Sequence, residues 1–427
     1  MHHFTRRNGS LYAEDVPLKD IAARVGTPCY VYSAATLRRH ARVFREPFPG
    51  GTVAAFSVKA LSNIAVLSLL RREGMGADVV SGGELERALR AGIEPDRIVF
   101  SGVGKTRDEL RTALATGILQ FNVESTEELR MLSDVAVELG KTAPVALRIN
   151  PDVDAQTHPG ISTGKADDKF GIPWDRAGGA YELARQLPGL DPSGLDLHIG
   201  SQITSLPPFE RAAERASDLV RSLRAEGFAI TRLDLGGGLG IPYAEGDIPP
   251  LPAAYADAMV RATAGLDVQL ILEPGRVIAG NAGVLLTRII LTKTQTSKAF
   301  VIADAGMNDL IRPALYAAHH RIEQVDEKAG APRPFAVVGP ICESTDQFAP
   351  DAMLVAPEAD DLLALGTAGA YGAVQASQYN TRPLVPEVLV DGDRFFVVRQ
   401  RPTVSEMLSL ESVPPHLVGD AATPSAD

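Results

Sequence analysis

A lysine near the end of an apolar run supplies an amine that can react as a nucleophile. The run covers residues 52–60 (TVAAFSVKA), and the lysine is Lys59. Burial away from water lowers the pKa of a lysine, and the uncharged amine can then form a Schiff base with a carbonyl compound. The alternative is a lysine that lays its stem on apolar surface and keeps its ammonium in water. The choice depends on which other side chains surround Lys59.

Polar residues and glycines also end other apolar runs of the chain. They are Asp78, the segment His198-Ile199-Gly200-Ser201, the run Gly236-Gly237-Gly238-Leu239-Gly240, and Glu273-Pro274-Gly275-Arg276. Glycines let backbone N–H groups approach an anion closely, although most glycine runs are turns. The serine can bind a phosphate or cap a helix, and the histidine can stack on a flat ring or belong to the core. The glutamate can keep a pyridine nitrogen protonated or pair with the nearby arginine.

A second group of candidate residues lies in the last third of the chain. Cys342 and Glu343 place a thiol beside a carboxylate, and Arg312 and Tyr316 are one helical turn apart. An arginine and a tyrosine at this spacing can clasp a carboxylate. Tyr371 stands in a glycine-flanked loop that a ligand can approach closely. The alternative for each is an ordinary buried or surface residue.

One segment imitates a phosphate-binding nucleotide loop. It is Gly102-Val103-Gly104-Lys105-Thr106. The motif requires a glycine five residues before Gly104, and this chain has Val99 there. This departure argues against a nucleoside triphosphatase.

Eight apolar runs alternate with helical segments and would position the first group of residues. The runs cover residues 52–60, 76–81, 97–102, 119–125, 144–151, 194–201, 230–238 and 268–275. Their nearly continuous apolar character is typical of parallel strands covered on both faces. Eight strand–helix units in about 225 residues predict a (β/α)8 barrel, with a doubly wound open sheet as the alternative. The C-terminal strand ends of a barrel form one mouth, where Lys59, His198 and Glu273 would meet.

The pattern changes after residue 281, where strands follow strands. The runs cover residues 285–292, 299–304, 335–340 and 362–367, and a hairpin over residues 387–399 turns at Asp391-Gly392-Asp393. We predict a barrel over residues 36–281 and a mostly antiparallel β domain over residues 282–413. We also predict an N-terminal segment over residues 1–35 that packs with the β domain, and a tail over residues 414–427.

Composition and charge argue against several classes of protein. Lysine plus arginine number 42 and aspartate plus glutamate 53, and the net charge of −11 argues against nucleic acid or an anionic membrane as a partner. Two cysteines, Cys29 and Cys342, cannot form a disulfide framework and favour a reducing compartment. We expect no metal, because the spacings typical of zinc ligands do not occur. Without an export signal or a membrane-spanning apolar stretch, the expected location is the cytoplasm.

Together these motifs resemble those of the fold-type III pyridoxal-phosphate decarboxylases. The resemblance extends from about Tyr12 to Pro414. It implies the alanine racemase-like arrangement of a barrel with a C-terminal β domain, pyridoxal 5'-phosphate as cofactor, and a homodimer with shared active sites. Residues 152–171, with Gly164-Lys165 and Lys169-Phe170-Gly171, resemble the family's long loop after strand five.

The resemblance also implies roles for the candidate residues. Lys59 would carry the cofactor, His198 would stack on its ring, and Glu273 would pair with the ring nitrogen. The other cofactor contacts would be Asp78, Ser201, Gly238, Gly275, Arg276 and Tyr371. The substrate would be bound by Arg276, Arg312, Tyr316, Glu343 and Tyr371. Cys342 would be catalytic together with Lys59 and His198, protonating the carbanion after carbon dioxide leaves; Cys342 and Glu343 would reach the neighbouring subunit's pocket.

The arginines and the glutamate of this set favour a substrate with a second amino-acid head. Arginines suit its carboxylate and a glutamate suits its ammonium, which favours meso-2,6-diaminopimelate and the last step of lysine biosynthesis. The alternatives are an enzyme that acts on carboxynorspermidine, ornithine or arginine, and a non-catalytic regulator with the same fold. One departure from the family is Leu61, where an asparagine is usual.

Overall fold

Two large β-sheets organise the chain, as seen in a computed structural model that describes residues 2–154, 169–244 and 246–417. The strands are β1 (Phe4–Arg7), β2 (Ser10–Ala13), β3 (Val16–Pro17), β4 (Cys29–Ser33), β5 (Val53–Ser57), β6 (Gly76–Val79), β7 (Ile98–Phe100), β8 (Gln120–Val123), β9 (Ala143–Asn150), β10 (Ile172–Pro173), β11 (Leu190–Asp196), β12 (Arg232–Asp234), β13 (Gln269–Leu272), β14 (Gly283–Thr294), β15 (Ala299–Ala303), β16 (Ile322–Gln324), β17 (Arg333–Val338), β18 (Gln347–Leu354), β19 (Leu362–Leu365), β20 (Glu387–Asp391) and β21 (Arg394–Arg399).

The helices lie mainly between the strands of the first sheet. They are α1 (Leu18–Val25), α2 (Ala34–Arg45), α3 (Ile64–Arg72), α4 (Gly82–Arg90), α5 (Arg107–Thr116), α6 (Thr126–Leu139), α7 (Ala177–Gln186), α8 (Pro207–Ala225), α9 (Pro252–Ala262), α10 (Arg276–Ala279), α11 (Arg312–Tyr316) and α12 (Val404–Leu408). None of the helices in the described residues is long and apolar enough to cross a membrane.

The first sheet closes into a barrel of eight parallel strands. The order around the barrel is β5, β6, β7, β8, β9, β11, β12 and β13, and β13 pairs with β5 to close it. This closure confirms the predicted (β/α)8 barrel and excludes an open sheet. Three of the candidate site residues follow their strands directly: Lys59 lies just after β5, His198 just after β11, and Glu273 just after β13. The strands therefore bring these residues to one mouth, as expected for their C-terminal ends.

Helix caps fix the loops at this mouth. The Ser81 hydroxyl accepts a hydrogen bond from the backbone N–H of Glu84 at the start of α4, and Ser125 does the same at the start of α6. At the other end of α6, Gly140 takes a left-handed conformation with φ 59°, which glycine adopts without steric cost. The two serine caps satisfy N–H groups of the first helical turns, and they restrict the path of the loop between each strand and the helix that follows it.

The segment that imitates a nucleotide loop has a structural role. The ammonium of Lys105 donates to the carbonyl oxygens of Gly102 and Asn122 at 2.8 and 2.7 Å, and to the carboxylate of Glu128 at 2.7 Å. The Lys105 side chain is fully buried. Its three donors already have partners, so this lysine ties a barrel loop to helix α6 rather than binding a phosphate.

The second sheet is mostly antiparallel, which confirms the second part of the predicted fold class. Its strand order is β18-β17-β15-β14-β4-β20-β21, and among the described residues its only parallel pairs are β15 with β17 and β4 with β20. Strand β4 from the N-terminal segment thus lies within this sheet, between β14 and β20. The proposed domain boundaries near residues 35, 281 and 413 stay predictions.

Several strands had no signal in the sequence. A small sheet of β1, β2 and β3 precedes the first helix, and β16 and β18 belong to the second domain. Most of these strands have two to four residues, too few for a two-residue alternation to stand out. In the longer β18, the apolar pattern of the sequence is interrupted by Pro350 and Asp351. The predicted loop over residues 152–171 lies largely outside the described residues, and so does its segment Gly164-Lys165.

Candidate active site

Two adjoining cavities open at the mouth of the barrel. Five residues line both of them: Lys59, His198, Ser201, Arg276 and Tyr371. The inner cavity is completed by residues that include Gly238, Glu273 and Gly275. The outer cavity has a volume of about 380 Å³ and is completed by residues that include Arg312 and Tyr316. The predicted cofactor and substrate residues of this chain therefore divide between the two cavities, with Asp78, Cys342 and Glu343 outside their walls.

The Lys59 ammonium is held by a buried carboxylate. Its Nζ donates to Asp78 Oδ2 at 2.6 Å, and Ser57 Oγ donates to the same oxygen at 2.8 Å. Burial by itself lowers the pKa of Lys59, but the charges of Asp78 and Glu273 outweigh it, so that the pKa is raised. Sequence reasoning considered only the effect of burial on this pKa and left out the carboxylates behind the lysine. Asp78 lies behind the cavity wall and acts on the site through Lys59.

Glu273 is buried in the barrel with two donors on one of its oxygens. Its Oε1 accepts from Ser101 Oγ at 3.0 Å and from Asn122 Nδ2 at 3.1 Å. Burial, followed by the charges of Asp78 and Asp234, raises the pKa of Glu273 well above its usual range. A positive charge beside this carboxyl group would favour its ionised form. Glu273 can thus act as the counter-ion of a protonated ring nitrogen.

His198 is held in a single neutral form. Its Nδ1 accepts a hydrogen bond from the backbone N–H of Gly237 at 3.1 Å. Burial, followed by the charges of Arg148 and Lys59, lowers the pKa of His198 well below its usual range. An uncharged imidazole with Nδ1 as acceptor carries its proton on Nε2. This ring can therefore lie against a flat cofactor without adding a second cation beside Lys59.

The inner cavity offers close backbone approach and hydroxyl groups to an anion. A Cβ atom on Gly238 would lie 2.4 Å from the Gly200 carbonyl oxygen, and one on Gly275 would lie 3.0 Å from the Ser57 Cβ. Tyr371 has a left-handed φ of 58°, which is rare for a residue with a side chain, and its N–H donates to the Ala60 carbonyl at 2.8 Å. Such backbone conformations are concentrated at ligand-binding sites.

Two arginines face the outer cavity without carboxylate partners among the described ion pairs. Arg276 donates from Nη1 to Tyr243 Oη at 2.6 Å and from Nη2 to Ser201 Oγ at 3.1 Å. Its Nε is buried without a hydrogen-bond partner in the described part of the chain. Arg312 bonds to the imidazole of His320 at 3.0 Å. Two guanidinium charges with neutral partners make this cavity suited to an anionic ligand.

Cys342 and Glu343 are exposed on the β domain, away from the walls of both cavities. The backbone N–H of Cys342 donates to Asn380 Oδ1 at 3.1 Å. The Glu343 carboxylate accepts from Tyr379 Oη at 2.8 Å and from Thr345 Oγ1 at 3.0 Å. Within one chain, these two residues are not brought together with Lys59.

Four residues of the site were missed by sequence reasoning. Ser101, just after β7, and Asn122, on β8, bond to Glu273. Tyr243 and His320 bond to or contact the two arginines. Tyr243 had a usable signal, because it follows the glycine run after strand β12 by three residues. The other three are single polar residues without a motif around them.

The inner site suits pyridoxal 5'-phosphate. The donor set combines an amine for its aldehyde, a carboxyl group for its ring nitrogen, and glycines with hydroxyls for its phosphate. The Nε of Arg276, which lines this cavity, is a buried polar atom that lacks a partner in the described residues, as expected where an anionic group is to be bound. A (β/α)8 barrel with this site defines a class of pyridoxal-phosphate-dependent enzymes. The family model "Pyridoxal-dependent decarboxylase, pyridoxal binding domain" matches residues 34–280.

Comparison with known proteins narrows the class further. The chain is 50% identical to diaminopimelate decarboxylase of Zymomonas mobilis subsp. mobilis, over 95% of this chain and 97% of that protein. It is 51% identical to the enzyme of the same name from Vibrio cholerae, over 96% and 98%. The crystal structure of Helicobacter pylori diaminopimelate decarboxylase complexed with L-lysine superposes with a TM-score of 0.89, 40% identity, and coverage of 92% and 98%. This chain belongs to the diaminopimelate decarboxylase family and is a pyridoxal-phosphate-dependent carboxy-lyase.

Proposed function

We propose that this chain decarboxylates meso-2,6-diaminopimelate to L-lysine and carbon dioxide, the last step of lysine biosynthesis. The observation that carries the proposal is the pair of guanidinium groups of Arg276 and Arg312 at the outer cavity, whose hydrogen-bond partners are uncharged. A substrate with a second carboxylate matches them. A simple diamine precursor such as ornithine would leave a buried guanidinium without an anion, which is costly.

The residues of the inner cavity hold the cofactor in this proposal. Pyridoxal phosphate, when bound, supplies a ring that accepts the electron pair left on the α-carbon as carbon dioxide departs. Lys59 attaches the cofactor through Nζ, His198 lies against its ring, and Glu273 keeps its ring nitrogen protonated. Asp78 holds the Lys59 amine in place. The phosphate is surrounded by Ser201, Gly238, Gly275, Arg276 and Tyr371.

The outer cavity binds the distal end of the substrate. Arg312 and Arg276 bind the distal carboxylate, and the hydroxyls of Tyr316 and Tyr371 lie along the same cavity wall. This arrangement uses the two guanidinium groups for the far end of the substrate, so that the reacting carboxylate has no guanidinium partner of its own. Removal of a carboxylate is favoured when no cation stabilises its charge.

The catalytic thiol comes from a second copy of the chain. Cys342 protonates the α-carbon after carbon dioxide leaves, and Glu343 binds the distal ammonium of the substrate, both in the pocket of the neighbouring subunit. Their exposure on the β domain, outside the cavities of their own chain, supports a homodimer with shared sites. Because oxidation of the thiol would remove its proton, the enzyme works in a reducing compartment such as the cytoplasm.

A substrate panel tests the proposed function. The purified chain with added pyridoxal phosphate is expected to release carbon dioxide from meso-diaminopimelate and to form L-lysine in equal amount. Ornithine, arginine and carboxynorspermidine are the matched controls, because they share the reacting centre and differ at the distal end. Turnover of one of these controls without turnover of meso-diaminopimelate would contradict the proposal.

Replacement of Glu273, the partner of the cofactor's ring nitrogen, is expected to slow the reaction without loss of the cofactor from the site. In Glu273→Gln an amide can still bond to Ser101 and Asn122, but it carries no negative charge for a protonated ring nitrogen. We expect kcat to fall by about a hundredfold, in the range observed when one electrostatic contact to the reacting system is lost. Stopped assays of lysine formation measure kcat, and bound cofactor per chain serves as the control. A kcat within threefold of the wild-type value would argue against this role.

A further inference from the structure

A buried histidine lies directly behind the substrate-binding arginine. His320 is 1% exposed and follows helix α11, after a turn in which Ala317 has a left-handed φ of 50°. Its Nδ1 lies 2.9 Å from the carbonyl oxygen of Gly366. Its Nε2 lies 3.0 Å from Nη1 of Arg312. The imidazole thus connects a backbone carbonyl of the β domain to the guanidinium group at the outer cavity.

The two partners allow only one protonation state of this imidazole. A carbonyl oxygen only accepts a hydrogen bond, so Nδ1 must carry the proton and donate to Gly366. A guanidinium only donates, so Nε2 must be the acceptor for Arg312. A protonated imidazole has no acceptor and would repel the arginine. In agreement with this geometry, burial and the Arg312 charge lower the pKa of His320 to about 3.

A tyrosine contacts both members of this pair. The Arg312 guanidinium carbon lies 4.8 Å from the ring centroid of Tyr243, in cation–π geometry. The rings of Tyr243 and His320 meet edge to face, with centroids 5.6 Å apart at 85°. Arg312 is only 5% exposed. The guanidinium is therefore held on one side by a hydrogen bond and on another by an aromatic face, which leaves its remaining N–H groups for a ligand.

We infer that His320 is a positioning residue, which holds the guanidinium of Arg312 so that it can bind the distal carboxylate of the substrate. The inference rests on the proposed function, because the distal carboxylate belongs to meso-diaminopimelate. An arginine side chain has four rotatable bonds, and binding is stronger when they are fixed in advance. His320 touches neither the cofactor cavity nor the reacting centre, so its effect should fall on substrate binding and leave the chemical step unchanged.

Three substitutions separate positioning from packing. His320→Gln places an amide oxygen near the position of Nε2 and can still accept from Arg312. In His320→Asn the shorter side chain reaches only the position of Nδ1. It can keep the bond to Gly366 but has no acceptor for Arg312. His320→Leu removes both bonds. We expect KM for meso-diaminopimelate to rise about tenfold in the Asn and Leu variants and less than about threefold in the Gln variant, with kcat within about threefold throughout.

A double-mutant cycle with Arg312→Met tests whether His320 acts through the arginine. Once Arg312 is replaced, His320→Leu should raise KM by less than about twofold further, because the group that it positions is gone. Equal multiplicative effects in the two backgrounds would instead mean that His320 only supports the fold. Cofactor content and the thermal unfolding midpoint are measured for every variant.

Each outcome supports or overturns the inference. Equal KM values for the Gln and Asn variants would overturn it, and this comparison decides even if His320→Leu does not fold. A loss confined to kcat would also overturn it. The wild-type enzyme separates the two proposals: if it does not turn over meso-diaminopimelate, the proposed function fails, whereas normal wild-type turnover with unchanged KM in the variants overturns only the role of His320.

Discussion

Lys59→Ala is expected to lower kcat for lysine formation by about three to five orders of magnitude, since it removes the nucleophilic amine of the site. Lys59 lines both cavities of the site, and its Nζ donates to Asp78 Oδ2 at 2.6 Å. Without it, the cofactor has no covalent attachment in the site, although the thiol of Cys342 is still present. The kinetic loss should therefore exceed the effect of any single binding residue.

The covalent attachment can be measured independently of activity. Borohydride reduction of the wild-type enzyme with pyridoxal phosphate should add the mass of the reduced cofactor to the peptide that contains Lys59. Lys59→Ala should show no such addition. Lys19→Ala is the matched control, because Lys19 is an exposed lysine on helix α1 that should leave both mass addition and activity unchanged. A labelled peptide elsewhere in the chain would disprove the assignment.

The carboxylate behind Lys59 makes a stability control necessary. Asp78 is fully buried and its Oδ2 accepts from Lys59 at 2.6 Å. Removing the ammonium leaves this carboxylate with the Ser57 hydroxyl alone, and an unpaired buried charge destabilises a fold. The thermal unfolding midpoint of Lys59→Ala should be compared with that of Lys59→Ala/Asp78→Asn, in which the charge is removed as well. Activity should stay lost in the double variant even where stability returns.

The sequence predicted the position of the site because barrel topology is simple. Residues that follow parallel strands meet at one mouth whatever the details of packing, so Lys59, His198 and Glu273 were grouped by strand order alone. The same rule could not predict contacts inside the barrel. Asn122 meets Glu273 because strands β8 and β13 stand across the barrel from each other, and such a contact depends on strand tilt and stagger.

The electrostatics of the site also lay beyond sequence reasoning. The pKa of Lys59 depends on distances to Asp78 and Glu273, and a change of a few ångströms reverses the balance between burial and attraction. His320 is a similar case, because its partners are 8 and 46 residues away in the chain. The periodicity of a sequence contains no information on such pairs. The exposure of Cys342 followed only from the family resemblance, since composition alone favours a buried position for a free cysteine.

A mixture of two inactive variants is expected to recover activity if the pocket is shared between subunits. Lys59→Ala and Cys342→Ala homodimers should each be nearly inactive. After subunit exchange at equal amounts, about half of the dimers are mixed, and each mixed dimer has one site with both groups intact. The mixture should therefore reach about a quarter of wild-type activity. The measurement is lysine formation before and after exchange, with exchange confirmed by differently tagged chains.

The second cysteine provides the control for this experiment. Cys29 is fully buried in strand β4, and burial raises the pKa of its thiol to about 12, so it stays protonated and unreactive. Cys29→Ala should be active by itself. A mixture of Cys29→Ala with Lys59→Ala should have no more activity than a mixture of the wild-type chain with Lys59→Ala. The two cysteines of the chain thus differ in burial, and only the exposed one can reach another subunit.

The outcome of the mixing experiment decides where the thiol acts. Recovery would require that Cys342 of one chain serves the Lys59 site of the other chain. The exposed position of Cys342 allows this, and the absence of Cys342 from the walls of both cavities in its own chain favours it. If confirmed exchange gave no recovery, each pocket would have to be completed within one chain. In that case the β domain would have to move relative to the barrel to bring Cys342 to Lys59, because the described conformation leaves the thiol outside both cavities.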